Sequence, residues 1–87
     1  MLTEYIDAAM RKAKYKILAD DEGFFGEIPG LQGVWANEDT LEACRDDLRR
    51  TLEGWIIIRL RHGLSLPVVN GINLNERKPA RNKKKVA

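Results

Sequence analysis

The run Lys14-Tyr15-Lys16-Ile17-Leu18-Ala19-Asp20-Asp21-Glu22-Gly23-Phe24-Phe25-Gly26-Glu27-Ile28 decides the fold. Tyr15, Ile17 and Ala19 alternate with Lys16 and Leu18, which is the two-residue period of a strand. Asp20 to Gly23 read as a turn, with Gly23 free to take positive φ. Phe24 to Ile28 then return as a second strand, so the stretch predicts a hairpin. Pro29-Gly30 and Gly33 punctuate the next loop, and Val34-Trp35-Ala36 predict a third short strand.

Helical periods flank this hairpin. Upstream, Leu2, Tyr5, Ile6, Ala9, Met10 and Ala13 recur at three- and four-residue spacing, predicting a helix over 2–13 with Thr3 as its N-cap. Downstream, Asp39 is expected to cap a long helix, with Glu42 completing a capping box. Leu41, Cys44, Leu48, Leu52 and Trp55 form its apolar stripe. Its expected end is His62, because Gly63 suits the position after a helix and Pro67 prevents continuation. Gly54 sits inside it at a cost of about 1 kcal/mol relative to alanine. Ile72-Asn73-Leu74 are expected to add a last short strand or to lie along an edge. The predicted class is α+β: a small antiparallel sheet of three or four strands, one long packing helix and an additional N-terminal helix.

The 87 residues make one domain, 44% hydrophobic and 32% charged. The net charge of +2 conceals two regions. Residues 1–76 hold 9 Lys or Arg against 13 Asp or Glu, a net of −4, whereas residues 77–87 hold 6 basic residues and no acid. The chain therefore divides into a mildly acidic domain, 1–76, and a basic tail, 77–87, expected to be disordered when free. No apolar run approaches the length of a membrane span, and no secretory leader is visible. The single cysteine, Cys44, excludes an intramolecular disulfide, so a cytoplasmic location is expected.

Catalysis is not indicated. Asp20, Asp21 and Glu22 share a turn, Asp46 and Asp47 lie outward on the long helix, and no acid occupies the middle of the first strand to anchor a metal. Cys44 and His62 lie 18 residues apart on one helix, about 27 Å, so they do not meet as nucleophile and base. No zinc-ligand spacing exists. The expectation is a chain that is not an enzyme and carries no metal or cofactor.

Binding is better supported. Adjacent apolar residues such as Phe24 and Phe25 point to opposite sheet faces, so both faces carry apolar groups. Ile57 and Ile58 make the end of the long helix apolar nearly all round. An 87-residue monomer buries only about 60–65% of its unfolded surface, which leaves little to cover both. The reading is a homo-oligomer, a dimer or higher, self-associating through Phe24, Phe25, Ile57 and Ile58, unless the N-terminal helix shields the second face. Trp55 is assigned to the core; Trp35 is read as either core filler or a partner anchor. Arg77, Lys78, Arg81, Lys83, Lys84 and Lys85 are candidates for non-specific phosphate contact.

Tyr15, the acidic turn ending in Gly23-Phe24, the strand closing at Pro29, the loop glycine Gly33 and the Asp39-Thr40-Leu41-Glu42-Ala43 helix start together resemble HicB-type antitoxins over residues 14–67. Val34 and Glu38 stand where members of that family often have Cys and Gly. The resemblance implies a partial RNase H-like fold without nuclease activity, in a short, single-domain type lacking a C-terminal DNA-binding domain. It implies a type II toxin–antitoxin role, in which a small basic RNA-cleaving toxin of the HicA kind is bound and occluded. Asp20, Asp21, Glu22 and Trp35 are the expected toxin contacts. The alternative is an orphan oligomeric scaffold that binds nucleic acid through its tail.

Overall fold

The computed structural model describes residues 1–74. Its elements are α1 (Leu2–Arg11), β1 (Lys14–Ile17), β2 (Phe24–Glu27), β3 (Trp35–Glu38) and α2 (Leu41–Arg61). The strands form one antiparallel sheet in the order β1-β2-β3, with Tyr15 opposite Gly26 and Gly26 opposite Ala36. The class is α+β, as the periodicities predict.

The hairpin closes through a tight turn in which the Glu22 N–H donates to the Ala19 carbonyl at 3.2 Å. Asp20 and Asp21 take φ of 57° and 58° inside it, a left-handed conformation that aspartate tolerates better than most residues. Gly23, at φ 92°, has no room for a Cβ, which would strike the Glu38 carbonyl oxygen.

Strand alternation assigns the faces. Tyr15, Phe24, Gly26 and Ala36 look toward α2; Lys14, Lys16, Phe25, Glu27, Trp35 and Asn37 look away. Gly26 is required at the centre of the inner face. A Cβ there would lie 2.8 Å from the Tyr15 ring and 3.1 Å from Cys44 Sγ, so only a bare backbone lets helix and sheet approach this closely.

Several boundaries differ from the sequence reading. The N-cap of α2 is Thr40, not Asp39: its backbone is extended and its Oγ1 accepts from the Ala43 N–H at 3.0 Å. Thr3 lies inside α1, which begins at Leu2 without a side-chain cap. No fourth strand occurs among the described residues. Val69 and Ile72 instead exchange two backbone hydrogen bonds across a turn made by Asn70 and Gly71, both at positive φ.

On α2, Cys44, Leu48, Leu52 and Ile56 are buried at four-residue intervals. Ile56, not Trp55, continues the row, and Leu41 is 40% exposed. A four-residue row turns about 40° per step, so the buried ridge drifts around the helix as it leaves the short sheet. At roughly 31 Å, α2 far outreaches four-residue strands of about 13 Å. Its projecting part is covered by α1, which buries Tyr5, Ile6, Ala8 and Ala9, and by Leu66 and Val69 beyond α2. Tyr5 donates its hydroxyl to the Pro67 carbonyl at 2.8 Å, and Arg49 meets Asp7 at 3.3 Å, fastening α1 and the last loop to α2.

Candidate functional site

With α1 packed on α2, the outer sheet face remains bare. Trp35 is 56% exposed and stacks on half-buried Phe25, ring centroids 6.0 Å apart at 23°. Lys16 Nζ stands 5.4 Å from the Phe25 centroid, a cation–π distance. Register explains the group: Lys16 is opposite Phe25, and Trp35, opposite Glu27, lies diagonal to Phe25. The loop over 28–34 borders this face, so that Phe25, Pro29, Gln32 and Trp35 line a broad open depression. Trp35 is thereby a surface residue and not core filler.

The acidic turn lies at the other end of the sheet. Phe24, next to the turn, is paired with Glu38, and Asn37 Nδ2 donates to the Glu22 and Phe24 carbonyls at 3.2 and 2.9 Å. Glu38 and Asp39 thus join Asp20, Asp21 and Glu22 around a shallow groove that includes Ile17, Leu18 and Phe24. Ile17 is 77% exposed there, because the strand continues past the end of the covering helix. Glu38, Asp39 and Ile17 were not singled out in the sequence. Their signal was register: the third strand starts one residue later and runs two residues longer than its apolar letters suggest. The expected contacts therefore fall into two groups, acids at one end and Trp35 at the other, about 10 Å apart along four-residue strands.

The remaining candidates separate likewise. Phe24 is half-buried against the core, whereas Phe25 lies on the open face. Ile57 and Ile58 are 55% and 57% exposed. Arg77, Lys78, Arg81, Lys83, Lys84 and Lys85 lie outside the described residues.

Cys44 is fully buried; its Sγ donates to the Ala36 carbonyl at 3.5 Å, and loss of solvent pushes the thiol above its ordinary pKa. That is the environment of an inert packing thiol and opposite to that of a nucleophile. His62 is the C-cap of the same helix. Among the described residues no three His, Cys, Asp or Glu side chains gather to hold a metal, and no helix is long and apolar enough to cross a membrane.

A three-stranded sheet backed by one long helix, with aromatics bare on its front and acids at its rim, defines a small α+β domain that offers open surfaces. The UPF0150-like family matches residues 4–67, and the chain belongs to this family, which comprises HicB-like and antitoxin-type small proteins. The match begins inside α1, so this helix is part of the family unit and not an addition to it. The crystal structure of TTHA0281 from Thermus thermophilus is similar, with a TM-score of 0.79 and 38% identity, covering 84% of this chain and 90% of that one. No curated protein matches.

Proposed function

We propose that this protein is a non-enzymatic, cytoplasmic antitoxin of the HicB-like type that neutralises a small basic RNA-cleaving toxin by occluding it. Membership of a family of antitoxin-type proteins is the observation that carries the reading. The surface is suited to the task. Asp20, Asp21, Glu22, Glu38 and Asp39 attract a basic protein and speed encounter, and the exposed Ile17 and Trp35 provide apolar anchors that lengthen the complex's lifetime. The occluding contact consists of the acidic rim together with the front of the sheet.

The turn permits a clean test. Asp20 and Asp21 both hold left-handed backbone, a conformation that Asn-Gly fills better than Asp-Asp. D20N/D21G removes two charges while keeping the hairpin. The wild-type protein is expected to co-purify from its native cell with a small basic ribonuclease and to stop its cleavage of RNA. D20N/D21G slows association, and Trp35→Ala raises the dissociation rate. Absence of any such partner, or inhibition untouched by all three substitutions, refutes the assignment.

A further inference from the structure

Gly54 has no role inside the subunit. It lies in the middle of the longest helix, where glycine is among the least favourable residues, yet a Cβ placed there meets no atom within 4 Å. The backbone needs no glycine at this point, because α2 passes through it as a continuous helix. What glycine does supply is close access to the helix backbone from outside. The surrounding surface is unusual in the same sense. Ile57 and Ile58, three and four residues on, flank Gly54 on one face and are more than half exposed.

Charges extend this face in both directions. Asp47 lies seven residues before Gly54 and Arg61 seven after, so all three fall within about 40° on the helix wheel. Asp47 reaches only its own Arg50, at 3.6 Å, and Arg61 forms no ion pair among the described residues. When two such helices lie antiparallel about a two-fold axis at Gly54, position 47 of one stands beside position 61 of the other, twice. Thr51 then stands beside Ile57, and the aliphatic stem of Arg50 beside Ile58. The face is complementary to itself, with glycine at the point of closest approach and opposite charges at its ends.

We infer that this face of α2 is a homodimer contact, antiparallel and two-fold, with a second copy of this chain as its occupant. The contact is isologous, as most dimers are, and it leaves the front of the sheet and the acidic turn free. It does not depend on the antitoxin reading, because it needs no other protein.

Charge exchange tests the arrangement. Sedimentation equilibrium at low salt is expected to show a dimer that dissociates on dilution from about 100 µM, as a contact this small implies. D47R or R61D alone raises the dissociation constant about tenfold or more, by placing like charges face to face; D47R/R61D together recovers most of the loss. Gly54→Leu blocks the close approach and gives a monomer, with helix content by circular dichroism confirming that each variant folds. Three outcomes overturn the inference: a wild-type monomer at about 100 µM, a dimer insensitive to Gly54→Leu, or a double exchange no tighter than the single ones.

Discussion

Gly26→Ala subjects the packing of the sheet against its helix to a direct test. The added methyl would lie 2.8 Å from both Cδ1 and Cε1 of the Tyr15 ring, and 3.1 Å from Cys44 Sγ on its other side. Ordinary contact needs about 3.5–4 Å, so the ring must withdraw by close to 1 Å. It has little freedom to do so, because Tyr15 is the direct ladder partner of Gly26 and Cys44 is fully buried. Overpacking of this kind costs about 1–3 kcal/mol, partly offset by about 0.4–1 kcal/mol from the stiffer unfolded chain. The net expectation is a loss of about 1–2 kcal/mol. In a domain this small that lowers Tm by roughly 5–15 °C. Gly54→Ala serves as the control, because a methyl there meets nothing within the subunit and raises helix propensity by about 1 kcal/mol. Both variants are unfolded in urea with circular dichroism and tryptophan fluorescence, at one low protein concentration so that association does not enter. A Gly26→Ala variant as stable as the parent, or two glycines responding in the same direction, refutes the packing described.

The helix cap and the buried thiol give further expectations. Thr40→Ala removes the bond to the Ala43 N–H and should destabilise the fold by about 1 kcal/mol, whereas Asp39→Ala should change stability little; equal effects in urea melts would contradict the assignment of Thr40 as the cap. Burial raises the Cys44 thiol, and likewise the Tyr5 hydroxyl, above their ordinary values. Because the neutral forms are favoured in the folded state, their contribution is complete below the unfolded pKa values and is lost as pH rises through the folded ones. Stability should therefore fall on the alkaline side, from about pH 8.5 upward, and Cys44 should resist thiol reagents until the protein unfolds. A thiol that reacts at the rate of an exposed cysteine in native buffer would show the environment to be wrong.

The elements were written in local pattern. Alternation fixed the hairpin, three-and-four spacing fixed both helices, and the opposition of an acidic body to a basic tail required only counting. These features depend on neighbours within a few residues, where backbone geometry leaves few choices. Cap and strand boundaries were less legible: Asp39 and Thr40 are both good caps, and which one serves depends on where β3 releases the chain. The functional surface was partly legible. Trp35, Asp20, Asp21 and Glu22 are exposed, as a partner contact requires.

Assembly of those elements decided the rest. Periodicity marked α1 as amphipathic without saying what it covers; only packing shows it resting on α2, fastened through Tyr5 and Asp7, so that the front of the sheet stays open. Register brought Glu38 and Asp39 to the acidic turn, and no local pattern carries that information, since hydrogen-bonded strands join residues fifteen and more positions apart. The two interior glycines express the same division. In sequence Gly26 and Gly54 are alike; in space one is hemmed in by a ring and a sulfur and the other faces nothing, because three-dimensional crowding is set by which distant segments arrive, not by the residues alongside.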